Sequence, residues 1–232
     1  MRKENLLLAA LPDAERERLA PYLRYVVLDY QQVLIEPNQE ITDLYFPYDA
    51  ITSTIQEMSD GDSVETGLMG VEGFVGVQLW LRSRTTPTRT LVQVPGSAHT
   101  MRATDFIRQV RDTDSPLNEL CAKYTHGFLV MTSQTAACNR LHPVNERLCR
   151  WLKLVHNRVG RDEFPLRQEF VAQMLGVHRP TVSMAANMLQ QAGLIKYSRG
   201  QMQIVDPDGL RNGSCECLEL IEKQFQKMFE LG

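Results

Sequence analysis

The stretch 168–195, QEFVAQMLGVHRPTVSMAANMLQQAGLI, constrains the fold more than any other in the chain. Phe170, Val171, Met174 and Leu175 mark one buried helical face, and Gly176 supplies the positive φ that a tight inter-helix turn needs. Val177 plugs the space between two helices. Pro180 sits where a first helical turn tolerates a missing N–H. The next helix carries Val182, Ala185, Ala186 and Leu189 at core spacing. Arg179, Thr181, Ser183, Met184 and Asn187 are left for its start and outer face. A short helix, polar and Arg-bearing at its N-terminal end, suits the major groove of DNA. Residues 194–205, LIKYSRGQMQIV, follow as two short strands around a Gly-containing turn. The whole predicts a winged helix-turn-helix, with Lys196 and Arg199 beside phosphates. Gln168 and His178 complete the expected DNA-binding set.

Charge divides along the chain in the same sense. Residues 1–143 carry 13 Lys+Arg and 18 Asp+Glu, a sum of −5. Residues 144–204 carry 9 against 4, a sum of +5. An acidic half joined to a basic half predicts a sensor joined to a nucleic-acid reader.

Upstream, short β-branched or alternating segments recur from residue 25 to residue 101, at 25–28, 33–35, 44–46, 51–55, 64–68, 91–94 and 98–101. Glu36-Pro37-Asn38, Pro47-Tyr48-Asp49, Ser59-Asp60-Gly61-Asp62 and Pro95-Gly96 separate them as turns. A helix is expected over 12–22, with Leu19 and Leu23 inward. Asp114-Ser115-Pro116 starts a long helix. Leu117, Leu120, Tyr124, Phe128, Met131, Thr135 and Cys138 form its apolar stripe, which predicts a helix–helix dimer seam; packing on the chain's own strands is the other use for it. Leu141-His142-Pro143 breaks the pattern as a hinge. A further helix follows over 144–159, with Leu148, Trp151, Leu152 and Val155 inward, and the tail 210–232 is expected to be helical and amphipathic. The fold class is therefore α+β. An N-terminal β-roll sensor (double-stranded β-helix or jelly roll) spans 1–113, a long dimerisation helix and hinge 114–143, and a winged helix-turn-helix domain 144–232.

This order resembles the Crp/Fnr family of bacterial transcription regulators. The resemblance covers nearly the whole chain and is densest over 168–205. It implies a homodimer that binds a pseudo-palindromic double-stranded DNA operator, works with RNA polymerase, and takes a signal in its roll. The family's recognition helix begins Arg/Val-Glu-Thr-Val/Ile-Ser/Gly-Arg, where this chain has Arg179-Pro180-Thr181-Val182-Ser183-Met184. Arg179, Thr181 and Ser183 fit. Pro180 and Met184 replace two side chains that read bases in the best-known members, so the familiar half-site is not expected. Met184 offers only apolar contact, for example to a thymine methyl.

The sensor half departs further. Cyclic-nucleotide-binding members hold the ribose with a Glu and the phosphate with an Arg. Here Val77 stands at the Glu position after Phe74-Val75-Gly76, and Thr86-Pro87-Thr88 lacks the Arg. A buried phosphate without a cation is costly, so cyclic AMP in the usual pose is not expected. Phe74, Gly76, Val77, Arg82, Arg84, Arg89, Tyr124 and Phe128 are the candidates for an effector pocket of unidentified ligand.

No cofactor and no metal ligand is assigned. The five cysteines lack the N-terminal cluster of iron–sulfur members, and Cys215-Glu216-Cys217 is half a cluster site. That pair reads as two incidental cysteines at a helix start, a reactive-thiol sensor being the alternative. His126 reads as an ordinary helical histidine rather than a haem ligand. No catalytic motif is present, so no enzyme is expected. No apolar run of about 18 residues predicts a membrane span, and an odd cysteine count suits a reducing cytoplasm. The competing functional class is a ligand-binding or protein-interaction module of the same fold without productive DNA binding.

Overall fold

Asn5 shows how the N-terminal segment is fixed. Its Oδ1 accepts from the Leu7 and Leu8 amides, capping α1 (Leu6–Ala9). Its Nδ2 donates to the carbonyls of Pro47 (2.9 Å) and Gly73 (2.8 Å), so one buried side chain caps a helix and ties it to the strands. The computed structural model describes residues 4–111 and 114–229. The domain boundary expected at 113/114 abuts residues 112–113, and the end of the tail at 230–232 also lies outside the described residues.

After α2 (Asp13–Leu19) come β1 (Arg24–Leu28), β2 (Val33–Ile35), β3 (Asp43–Pro47), β4 (Ile51–Glu57) and β5 (Ser63–Met69). A short α3 (Val77–Trp80) precedes β6 (Arg89–Val94), β7 (Gly96–Arg102) and α4 (Ala103–Gln109). The strands form two antiparallel sheets, ordered β1-β7-β3 and β2-β6-β4-β5. All seven expected strands are present. Their inner faces meet in a core that includes Leu44, Phe46, Ile51, Phe74, Val94 and Met101.

The long helix α5 (Pro116–Leu141) has 26 residues, with Ser115 as N-cap and Pro116 in its first turn. The expected seam is spent largely inside one copy. Leu117, Leu120, Tyr124, Met131, Thr135 and Cys138 are buried within the chain, and Phe128 is half-buried. Two glycines explain the close fit. A Cβ on Gly73 would meet the Tyr124 ring at 1.8 Å, and one on Gly67 would meet the Phe128 ring at 2.6 Å, so β5 and the loop after it accept α5 only with glycine there. The remaining face of α5 carries Ala136, Ala137, Leu129 and Leu141, the last two 58% and 72% exposed.

Beyond the hinge, α6 (Val144–Val159) ends at Gly160 in the left-handed region. It leads to β8 (Glu163–Pro165), α7 (Gln168–Leu175), α8 (Arg179–Gln191), β9 (Ile195–Ser198) and β10 (Gln201–Ile204). Sequence reasoning missed β8, which completes a sheet ordered β8-β10-β9. Its three residues are too few to show a period. The tail forms α9 (Pro207–Asn212) and α10 (Cys217–Phe229). Helix α10 packs along α5, with the Phe225 ring against Gly127 and 6.4 Å from the Tyr124 ring.

Candidate DNA-binding surface

Gly176 adopts φ 59°, and its left-handed conformation lets α7 stop and the chain turn into α8. Val182, Ala185, Ala186 and Leu189 are buried, as the spacing predicts. His178, Arg179, Met184 and Asn187 are exposed on α8 or at its start. Ser183 and Gln168 hold one another: the Ser183 hydroxyl donates to Gln168 Oε1 at 2.9 Å, fixing the start of α8 against the start of α7. Both are therefore positioned, and the Gln168 amide keeps its donors for a ligand.

The wing turns at Arg199 (φ 49°) and Gly200 (φ 76°). Two successive positive φ values are those of a type I′ hairpin, whose twist matches the flanking strands. The turn puts Arg199 at the tip, while Lys196 is exposed on β9. The Tyr197 amide donates to Gln190 Oε1 (2.9 Å) and its hydroxyl to the Leu166 carbonyl (2.9 Å), locking the wing to α8 and to the strand before α7. Burial pushes the Tyr197 phenol up to about 12, so it stays a donor.

A cavity of about 380 Å³ opens between the starts of α7 and α8 and the wing tip, lined in part by Arg167, Gln168, Arg179, Arg199 and Gly200. Three guanidinium-bearing residues and the carboxylate of Glu169 line this recess, and guanidinium is the group best shaped to pair a phosphate. Arg167 was not found from the sequence, because it precedes the helical pattern and no period marks it. Glu169 was also missed, and it ion-pairs with Arg179 at 2.8 Å.

The basic half exposes fewer cations than its charge count implies. Arg147, Arg150, Lys153 and Arg158, four of the nine cations in 144–204, are buried on α6. Arg158 pairs with buried Glu72 at 2.7 Å, and Arg147 donates to the Leu175 carbonyl and to Asn139 Oδ1. Arg158 thus ties α6 to the strand half, and Arg147 ties α6 to α7 and α5. The exposed ones are Arg161, Arg167, Arg179, Lys196 and Arg199.

The two halves also meet at the helix-turn-helix itself. Gln173 on α7 donates to Ser63 Oγ at 2.6 Å, and Tyr30 packs against Phe170 and under the Arg167 guanidinium. A cleft of about 770 Å³ separates the β4–β5 hairpin from the α7–α8 turn, and His178 and Thr181 line it with Asp62 and Val64. Glu65, on β5, is fully buried and accepts from Ser53 and from the Trp151 indole N–H of α6. Its burial pushes the carboxyl up to about 8, so it is mostly neutral at pH 7.

Of the candidate effector residues, Phe74, Tyr124 and Phe128 pack together, while Arg82, Arg84 and Arg89 lie apart from them. Phe74, Val77 and Tyr124 are core, and the Phe74 ring lies 5.1 Å from Tyr124 and 5.6 Å from Phe106. Gly76 is buried with φ 105° and caps α3. Phe128 lies against Gly67. Arg82 is exposed; Arg84 pairs with Glu40, and Arg89 with Glu36 and Glu57. Aromatic rings thus fill the space between α5 and the strands, and Arg84 and Arg89 are committed to carboxylates. The cysteines converge: Cys138, Cys215 and Cys217 cluster with His142 at the hinge.

Residues 146–212 match a family described as the Crp-like helix-turn-helix domain. The chain carries a Crp-like helix-turn-helix domain. Over most of its length the chain also shares the fold of solved Crp/Fnr-type proteins. FixK2 of Bradyrhizobium japonicum aligns at TM-score 0.69 and 13% identity, over 83% of this chain and 98% of that one. A CRP-family transcriptional regulator of Thermus thermophilus aligns at 0.67 and 13%, over 82% and 96%. The global regulator CLP of Xanthomonas campestris, described as c-di-GMP responsive, aligns at 0.65 and 16%, over 83% and 99%. No curated protein matches the chain. The resemblance drawn from 168–205 is borne out by the domain match, and the chain shares the fold of these regulators. Among the described residues no helix is long and apolar enough to cross a membrane.

Proposed function

We propose that this Crp-like protein binds a pseudo-palindromic operator as a homodimer and acts on transcription in the bacterial cytoplasm. The observation that carries the reading is the shared outer surface of α8 and the wing: Arg179, Met184 and Asn187 stand exposed beside Arg167, Arg199 and Lys196. Arg179 reads a base edge, Met184 meets an apolar one, and Arg167, Lys196 and Arg199 hold phosphates. Two copies related by a dimer axis place their recognition helices about 34 Å apart, one helical turn of DNA. The exposed face of α5 around Leu129 and Leu141 is the part of that helix left for the partner copy.

Selection of bound sequences from a random duplex pool tests the reading. An inverted repeat with half-sites one turn apart is expected, together with a binding constant that falls steeply with salt. Failure to enrich any sequence in moderate salt would favour the protein-interaction module instead. The signal is not cyclic AMP in the usual pose, because Val77 and the carboxylate-paired Arg84 and Arg89 offer neither a ribose acceptor nor a free phosphate cation. Calorimetry is expected to find no low-micromolar cyclic AMP binding.

A further inference from the structure

Cys138 and His142 lie four residues apart on the last turn of α5 and its C-cap, so both project from one face of the helix end. Cys215 and Cys217 flank the start of α10. The four donor atoms all lie within 4.8 Å of one another. Cys138 Sγ is 3.5 Å from Cys215 Sγ, and Cys217 Sγ is 3.5 Å from His142 Nδ1. All three cysteines are buried.

We infer that Cys138, His142, Cys215 and Cys217 form a tetrahedral Cys3His site for one Zn²⁺ ion, which fastens the C-terminal helix to the hinge. Zinc–sulfur bonds of about 2.3 Å put tetrahedral ligands about 3.5–3.8 Å apart; two of the donor pairs stand at 3.5 Å and all lie within 4.8 Å, so small side-chain shifts complete the set. An iron–sulfur cluster spreads its thiolates over different irons, with sulfides between them, and does not fit donors this close. On binding, three Zn–S bonds and one Zn–N bond form, three thiol protons leave to solvent, and no electron moves.

The surroundings support a metal ligand set. His142 Nε2 lies 3.1 Å from the Glu216 carboxylate, so Nε2–H donates outward while Nδ1 faces the thiols. That is the carboxylate–histidine–metal arrangement, which fixes the tautomer a ligand needs. Gln134 Nε2 donates to Cys217 Sγ at 3.0 Å and so holds that sulfur in place. The consequence is mechanical. The site joins the end of α5, the residue before Pro143 and the tail that follows the wing. An occupied site holds the hinge at one angle.

Full-length protein purified under reducing conditions and exhaustively desalted is expected to retain about one zinc per chain by elemental mass spectrometry. Stripped protein should take up Co²⁺ with the intense absorption of tetrahedral cobalt–thiolate. The Cys215→Ser/Cys217→Ser double variant should lose both signals, while Cys121→Ser and Cys149→Ser should keep them. Because the double variant can fail to fold for other reasons, Glu216→Gln supplies a milder arm: metal affinity should fall about tenfold with the fold intact by circular dichroism. Zinc below a tenth per chain with no cobalt spectrum overturns the proposal. So does iron with acid-labile sulfide, or a Cys138–Cys215 disulfide in protein kept reduced and anaerobic.

Discussion

At the residue scale, the proposed reading of DNA rests most on Arg179. Its guanidinium is engaged by Glu169 in the free protein, and both side chains are more than half exposed. Such a pair is worth only about 0–1 kcal/mol, so it holds the side chain without preventing transfer to guanine. Arg179→Ala is expected to cost about 1–3 kcal/mol of binding and to relax preference at one base pair per half-site. Glu169→Gln should strengthen binding by no more than about fivefold. Fluorescence anisotropy on the selected operator and on single-base variants checks both. A uniform loss for Arg179→Ala with unchanged sequence preference would show a phosphate contact instead. Glu65 makes the second residue-scale prediction. Its carboxyl titrates at about 8 when folded against 4.5 when unfolded, so the folded state keeps a proton the unfolded chain loses. Its contribution is fully present below pH 4.5, declines as pH rises, and is lost through pH 8. The slope has a ceiling of about 1.4 kcal/mol per pH unit. Glu65→Gln should flatten that decline in urea melts run from pH 5 to 9.

At the scale of elements, α5 has two faces with different tasks. Tyr124 belongs to the inner one, wedged at Gly73 and against Phe74. Tyr124→Ala should destabilise the protein by about 3–5 kcal/mol, as for other large aromatic truncations. Leu129 belongs to the outer face. Leu129→Asp should leave the melting transition nearly unchanged while shifting sedimentation from dimer to monomer. A wild-type monomer at micromolar concentration would remove the dimer from the reading. The repeat of the stripe was legible from 117 to 138, but its partner was not. A three-to-four-residue period reports that a face is buried and is silent on whether its cover comes from strands, a tail helix or a second copy. Gly67 and Gly73 were the available signal, and they gain meaning only once β5 is placed beside α5.

At the scale of the whole molecule, the C-terminal half is held against the strand half by Gln173 on Ser63 and Arg158 on Glu72. A ligand that prefers one placement of the β4–β5 hairpin would therefore bias the recognition helix by at most its differential affinity for the two placements. Ser63→Ala and Gln173→Ala should each cost about 0.5–1.5 kcal/mol of docking. Their double-mutant cycle should show coupling, with faster hydrogen exchange in α7 as the accompanying sign. Additive effects would mean that the bond contributes nothing to the joint.

The strands, the long helix, the hinge, α6 and the recognition unit follow from local rules acting within a few residues. Pro143 and Gly176 act on their own backbones, and Val182, Ala185, Ala186 and Leu189 share a face because a helix repeats every 3.6 residues. That is why the Crp/Fnr resemblance was legible in 168–205. The tertiary structure decided what distance along the chain conceals. Arg167 joined Arg199 across the wing, four cations of the basic half were buried, and the candidate effector arginines parted from the aromatic candidates Phe74, Tyr124 and Phe128. Cys138 met Cys215 across 77 positions. Contacts so far apart in sequence depend on how two elements pack, and no local period records that choice.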